Sequence, residues 1–402
     1  MRQCRERAAP FLYYTTGLPH IFWHFNFICD LFCYALDKVK RRRHNTAMNT
    51  NTNANLFSPV ALGPLALPNR IVMAPMTRSR AGEGDAPTDT VVEYYRQRAS
   101  AGLIINEATF VSPQAKGYPM TPGIFTDAQV SAWRKVTDAV HAEGGRIFLQ
   151  LWHVGRVAIP AMLPEGHAPV GPSAIQPAGK MFNGEPYAIP RALELSEIPG
   201  IVAQYADGAR KAKQAGFDGV EVHGANGYLP DQFLRDGSNH RTDAYGGAVE
   251  NRARFLLEVT GAVAQVWGAD RVGVRLSPQS PFNDMTDSDP ASTFGYAARR
   301  LGQMGLAYLH VTEPSLPGVE PLAPLLREAF GGTFMLNGGF TKETASAALA
   351  SGAADLISFG TPFIANPDLV RRFAEDAPLN AVDPATMYGG DAHGYTDYPS
   401  LG

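Results

Sequence analysis

Short apolar runs alternate with amphipathic stretches along most of the chain. After a hairpin-like segment at 56–69, the apolar runs fall at 70–76, 103–109, 146–153, 219–223, 271–276, 307–312, 333–337 and 356–360. Near-continuous hydrophobic runs of this length predict strands buried on both faces, as in a parallel sheet. Helical periodicity fills segments between them, at 126–143, 196–215, 249–267, 292–304, 321–330 and 342–351. Cap-like residues open some of these (Thr126-Asp127, Ser196-Glu197), and glycine closes several, at Gly144, Gly216, Gly268, Gly305 and Gly352. Eight such alternations predict an α/β chain folded as a closed (β/α)8 barrel.

Chemistry on such a barrel belongs at the C-terminal ends of the strands. The fourth predicted strand runs into His223-Gly224-Ala225-Asn226-Gly227-Tyr228. His223 and Asn226 can both hydrogen-bond one substrate oxygen, and Tyr228 carries a phenolic proton that could be delivered to carbon. A satisfied core histidine and ordinary aromatic packing would account for an isolated HxxNxY, so the repeating context is what favours a site. The other strand ends carry Pro75-Met76-Thr77-Arg78, Glu107-Ala108-Thr109, Gln150-Leu151-Trp152-His153, Arg275, Glu313, Asn337-Gly338-Gly339 and Gly360-Thr361. Gln150 and Thr77 offer amide and hydroxyl groups to a heterocycle edge, and Arg275 offers a fixed cation. Gly338, Gly339, Gly360 and Thr361 offer main-chain donors where barrels commonly hold phosphate. The set reads as a cradle for flavin mononucleotide.

From about Asn55 to Gly402 the chain resembles the old yellow enzyme family of FMN-dependent ene-reductases, and is similar to its bacterial alkene reductase and N-ethylmaleimide reductase members. The resemblance rests on motifs in order: residues 70–78 (RIVMAPMTR), 150–156 (QLWHVGR), 223–229 (HGANGYL), 236–239 (DGSN) with 241–247 (RTDAYGG), 363–368 (FIANPD) and 394–399 (GYTDYP). It implies that Thr77 tunes the flavin, that Pro75 and Ala108 line its ring, that Gln150 holds the pyrimidine edge, and that Arg275 stabilises negative charge there. It further implies that His223 and Asn226 hold the carbonyl or nitro oxygen of an activated alkene, while Tyr228 protonates its α-carbon. Trp152, Tyr118 and Tyr388 match positions that shape the substrate pocket. NADPH or NADH would reduce the flavin in that same pocket and leave before the alkene enters, giving ping-pong kinetics. Nitrate esters and nitroaromatics are further expected substrates.

Two positions depart from the family pattern. Thr361 stands where relatives usually carry an arginine against the flavin phosphate; a hydrogen bond to a charged group is worth about 1.5–3 kcal/mol, so FMN binding is expected to weaken about ten- to a hundredfold. Asn226 replaces the histidine of many bacterial relatives, which keeps a donor but removes a titratable group. The alternative to an active enzyme is a flavin-binding barrel with impaired catalysis. No GxGxxG follows a strand, and HExxH, GxSxG and Walker motifs are absent. His141-Ala142-Glu143 lacks the cysteine pair of a zinc deaminase, so no metal is assigned. The four-cysteine cluster of iron–sulfur relatives is missing, and only Glu107 and Glu313 are acids at strand ends, with no lysine beside them for sugar-phosphate isomerisation.

Residues 1–50 differ in composition. They hold the chain's three cysteines, Cys4, Cys29 and Cys33, and an aromatic-rich stretch at 11–36 before the basic run Lys38-Val39-Lys40-Arg41-Arg42-Arg43. His20, His24 and Asp30 interrupt the apolar stretch, which argues against a membrane anchor, and no cleavage site marks a signal peptide. The expectation is a segment outside the folded unit, with the native start at Met48. The net charge of −3 leaves no nucleic-acid footprint. A barrel free of cysteine is compatible with a cytoplasmic enzyme, acting as a monomer or small homo-oligomer on a small molecule. The long loops at 167–191 and 278–291 follow strands three and five, where loops covering a substrate belong.

Overall fold

The computed structural model describes residues 55–313 and 318–402; the expectation for residues 1–50 lies outside them. Eight strands form where the apolar runs predict them: β1 (Ile71–Met73), β2 (Leu103–Ile105), β3 (Ile147–Trp152), β4 (Gly219–Gly224), β5 (Val272–Leu276), β6 (Tyr308–Thr312), β7 (Phe334–Asn337) and β8 (Leu356–Phe359). Each pairs in parallel with the next. The sheet closes where β8 pairs with β1, Ile357 opposite Ile71. One strand face packs outward on the helices, which is why nearly every strand residue is buried.

The inward face is layered. At the N-terminal end an apolar cluster fills the barrel, with Val72, Leu103, Phe148, Tyr308, Met335 and Leu356 packed on Leu62 and Leu67. Those two leucines come from the antiparallel hairpin Val60–Leu62 and Leu65–Leu67, which closes that end. Its turn needs glycine: Gly63 has φ +54°, and a Cβ there would lie 2.0 Å from the carbonyl oxygen of Asp270. Two residues further along β3 to β8 the inward positions become polar, at Gln150, Glu221, Arg275, His310, Asn337 and Ser358, because side chains repeat with period two.

The helices that brace the barrel are α1 (Asp89–Gln97), α2 (Asp127–Ala142), α3 (Ile198–Gln214), α4 (Arg254–Trp267), α5 (Pro290–Gly302), α6 (Ala323–Phe330), α7 (Lys342–Ala350) and α8 (Leu369–Ala374). Thr126 caps α2 in a reciprocal box with Gln129. Ser196 does not cap α3: the helix opens after Glu197 with a proline in its first turn, and no side chain bonds its free N–H groups. The Glu197 carboxylate is instead committed to Arg191 and the Glu194 N–H. Segment 249–267 is two helices, Val249–Arg252 and α4, broken at Ala253. Helix α5 begins earlier than expected because Asp289, whose carboxylate accepts from the Ser292 N–H, is its cap. The glycines expected to close helices all follow them at positive φ. Among the described residues, no helix is long and apolar enough to cross a membrane.

Candidate active site

The β4 end is shaped by the backbone around Asn226 and Gly227. Asn226 sits at φ +59°, its N–H donating to Ser277 Oγ at 2.7 Å and its carbonyl accepting from Asn283 Nδ2 at 2.8 Å. Gly227 donates its N–H to Asp231 Oδ2 at 2.8 Å, and a Cβ on it would meet Met285 Cγ at 2.6 Å. Gln232 Nε2 donates to the Gly227 carbonyl at 2.7 Å. This frame turns Tyr228 back over His223, with ring centroids 5.0 Å apart.

Tyr118 and Trp152 complete an aromatic group with Tyr228. Their rings stack 5.5 Å apart, Trp152 meets Tyr228 edge-on at 5.0 Å, and the Tyr228 hydroxyl lies 3.4 Å from that of Tyr118. Burial, followed by the neighbouring Tyr118, pushes the Tyr228 phenol well above its ordinary value, so it stays protonated. Burial holds the His223 imidazole well below its ordinary value, with Arg275 and His310 adding to that direction. His223 is therefore neutral and can donate one N–H.

Beside His223 the register of β4 and β5 places Arg275. Arg275 Nη2 donates to Asn337 Oδ1 at 3.0 Å, and Thr312 Oγ1 donates to the same oxygen at 3.0 Å. Gln150 Nε2 donates to Glu221 Oε1 at 2.7 Å. Buried Trp152 Nε1, His223 Nδ1 and Arg275 Nε have no partner among the described residues; such atoms call for a ligand. Pro75, Met76 and Thr77 are half-buried at the end of β1, and Ala108 is buried. Gly338 and Gly339 are exposed after β7; at Gly338 a Cβ would meet the Glu313 carbonyl oxygen at 2.4 Å. Gly360 lies against Met76 Sδ, and Thr361 is exposed at the start of the short helix Thr361–Ala365. A mouth with an amide, a guanidinium, a hydroxyl and small backbone at two adjacent strand ends fits a flat heterocycle carrying a phosphate.

Both long loops reach this mouth. Tyr187 donates its hydroxyl to Asn283 Oδ1 at 3.2 Å, joining the loop after β3 to the loop after β5. Arg156 ties the same two loops through carbonyls, donating to Ile175, Asn283 and Asp284. Asn283 and Tyr187 escaped sequence reasoning, and Arg156 was visible only as part of a motif. Tyr388 is not brought into the aromatic group; it is 69% exposed, on a C-terminal segment whose carbonyls at Met387 and Gly394 accept from Arg78. The buried Tyr395 of that segment stacks on Tyr94 at 4.0 Å.

The two strand-end acids have structural duties. Glu313 accepts from the N–H groups of Leu322 and Ala323 at the start of α6. Glu107 accepts from the Arg78 N–H at 3.2 Å, and its other oxygen is buried with no partner among the described residues. Burial pushes this carboxyl from 4.5 up to about 7, against the pull of the Arg78 N–H and charge. Between those two values the folded protein keeps a proton that the unfolded chain has released. The stability from this group is therefore complete below the unfolded value and is lost as pH rises through about 7. Across that window the wild type is expected to lose on the order of 3 kcal/mol relative to Glu107→Gln. Urea midpoints of the two proteins from acid to neutral pH measure this, and parallel curves would refute it.

Comparison with known proteins agrees with this geometry. The model of the NADH:flavin oxidoreductase / NADH oxidase family matches residues 55–380. The chain is similar to 12-oxophytodienoate reductase 1 of Oryza sativa subsp. japonica, 46% identical over 355 residues that cover 86% of this chain and 93% of that protein. Among solved structures it is similar to morphinone reductase in complex with tetrahydroNAD, 51% identical with a TM-score of 0.83, covering 87% of this chain and 98% of that one. The old yellow enzyme homologue from Zymomonas mobilis is 49% identical with a TM-score of 0.84, covering 86% and 100% respectively. With that family match across most of its length, and relatives this similar over nearly their whole chains, the protein belongs to the old yellow enzyme family of FMN-dependent NAD(P)H ene-reductases.

Proposed function

We propose that the chain reduces the C=C bond of α,β-unsaturated carbonyl or nitro compounds at the mouth of the barrel, with His223, Asn226 and Tyr228 as the substrate-facing groups. The observation that carries this is the convergence of those three residues beside Arg275 and Gln150, with buried polar atoms left unpartnered among them. FMN, when bound, supplies the hydride that NAD(P)H has given it. Gln150 and Arg275 would hold its pyrimidine edge, Thr77 the carbonyl nearest its reactive nitrogen, Pro75, Met76 and Ala108 its ring, and Gly338, Gly339, Gly360 and Thr361 its phosphate. The neutral His223 donates an N–H to the substrate oxygen, and the Asn226 amide, which bonds no other described side chain or backbone group, donates a second. Withdrawing electron density from that oxygen leaves the β-carbon electron-poor. Tyr228 then gives its hydroxyl proton to the α-carbon, and the Tyr118 hydroxyl beside it can donate to the phenolate left behind. Trp152 and Tyr118 wall the pocket, and Tyr388 lies at its rim.

The rim favours substrates with an apolar body. Met120, Phe182, Phe282 and Tyr388 are large side chains left exposed, and Phe182 sits 5.7 Å from the Tyr118 ring. Nitrate esters and nitroaromatics present the same kind of oxygen and are secondary candidates. Anaerobic addition of NADPH, then 2-cyclohexenone, to the FMN-loaded protein tests the whole reading. Bleaching of the flavin absorbance followed by its return supports the reading. Bleaching without return points to a flavin barrel that has lost alkene reduction, and no bound flavin would overturn the assignment.

Thr361 supplies no cation where the phosphate is placed. Thr361→Arg is expected to tighten FMN about ten- to a hundredfold, measured by quenching of flavin fluorescence on titration with apoprotein. An unchanged dissociation constant would show that this position does not reach the phosphate.

A further inference from the structure

Beneath the site lies a buried polar chain that the mechanism above does not use. Glu221 of β4, His310 of β6 and Ser358 of β8 face into the barrel, each at most 1% exposed. Glu221 Oε2 is 2.9 Å from His310 Nδ1, and His310 Nε2 is 2.8 Å from Ser358 Oγ. The other carboxylate oxygen, Oε1, accepts from Gln150 Nε2.

We propose that this Glu221–His310–Ser358 chain is a positioning and charge-balancing device for the flavin wall: it fixes the orientation of the Gln150 amide and offsets the Arg275 cation, and so sets the balance between the two oxidation states of FMN. The proposal rests on the assignment of Gln150 and Arg275 to the pyrimidine edge. An ionised carboxylate only accepts hydrogen bonds, so the Gln150 NH2, not its carbonyl, faces Glu221. Its carbonyl and second N–H are then turned outward as a matched acceptor and donor for a heterocycle edge. The same logic puts the His310 proton on Nδ1 and leaves Nε2 to accept from the Ser358 hydroxyl, so every bond in the chain has one polarity.

Charge is the second element of the device. Burying a carboxylate is costly unless it is paired and hydrogen-bonded. The cation nearest in kind is Arg275, yet among the described residues the two make no ion pair, and the guanidinium bonds the neutral amide of Asn337 instead. Glu221 therefore balances Arg275 at a distance without consuming its donors, and Arg275 Nε has no partner among the described residues. His310 remains neutral, because burial outweighs the attraction of Glu221 and holds it below its ordinary value. Negative charge on reduced FMN is favoured by Arg275 and opposed by Glu221, and in a water-poor barrel both terms are strong.

Glu221 and His310 are thus positioning residues, and the reduction potential of bound FMN is the readout that tells them from core filler. Glu221→Gln keeps the shape and removes the charge. Its FMN potential, measured by equilibration with a reference dye, is expected to rise, reflecting a change of about tenfold in the ratio of oxidised to reduced affinity, about 30 mV for a two-electron couple. Should that variant fail to fold, Glu221→Met combined with His310→Leu replaces the pair by apolar side chains of similar size, a change that buried pairs often tolerate, and the same rise is expected. A potential equal to wild type in a folded, FMN-loaded variant would overturn the proposal while leaving the ene-reductase reading intact. Failure of the wild type itself to bind FMN would overturn both.

Discussion

Tyr228→Phe is expected to slow reoxidation of the enzyme by 2-cyclohexenone by about 10²–10⁴-fold, the span that a positioned proton donor contributes. Reduction by NADPH should keep its rate, because hydride leaves the nicotinamide without a proton from the protein. The ring itself would stay in place, held by Trp152 at 5.0 Å and His223 at 5.0 Å, so the change removes the hydroxyl and little else. Stopped-flow measurement of the two half-reactions separates them. Equal slowing of both would assign Tyr228 to pocket shape, and an unaltered oxidative half-reaction would show that the α-carbon takes its proton from elsewhere.

Asp231→Ala should be the most damaging single change to stability, costing about 3–5 kcal/mol. Asp231 is fully buried, and Arg235, 2% exposed, donates Nε to it at 2.9 Å. Removing the carboxylate strands that guanidinium inside the protein and also frees the Gly227 N–H, which Asp231 holds at 2.8 Å. Arg235 also donates to the carbonyls of Ser277 and Ser280 at the start of the loop after β5, so loss of the ion pair would loosen both sides of the Asn226 turn. Denaturant unfolding of the variant, compared with Asp231→Ala/Arg235→Met, tests the cause. The double variant should recover part of the loss, and no recovery would mean that the cost comes from the Gly227 contact alone.

The barrel was legible because parallel strands buried on both faces leave apolar runs that few other folds produce, and each of the eight runs became a strand. Helix α1 was not among the helices read from periodicity. Its sequence, DTVVEYYRQ, is rich in β-branched and aromatic residues of weak helix propensity, and its packing through Val91, Tyr94 and Tyr95 is what holds it. The break at Ala253 and the unused Ser196 cap left no local signal either, since both depend on what the neighbouring segments already bond. In the site, the residues within one turn, His223, Asn226 and Tyr228, could be read together. Asn283 and Tyr187, 96 positions apart, meet only through tertiary folding. Glu221 lies inside the apolar run of β4, and nothing in its surroundings pointed to His310, 89 positions away. Tyr388, grouped with Tyr118 and Trp152 by the resemblance, is 69% exposed.

The hairpin packed beneath the strands carries a kinetic consequence. With Leu62 and Leu67 seated on the barrel's inner cluster, one end is stoppered and every molecule must use the other. Under the proposed reaction, coenzyme and alkene would then share a single doorway, each queuing for the other's departure. Too much of either is then expected to obstruct its successor, so that turnover should peak at intermediate concentrations of both.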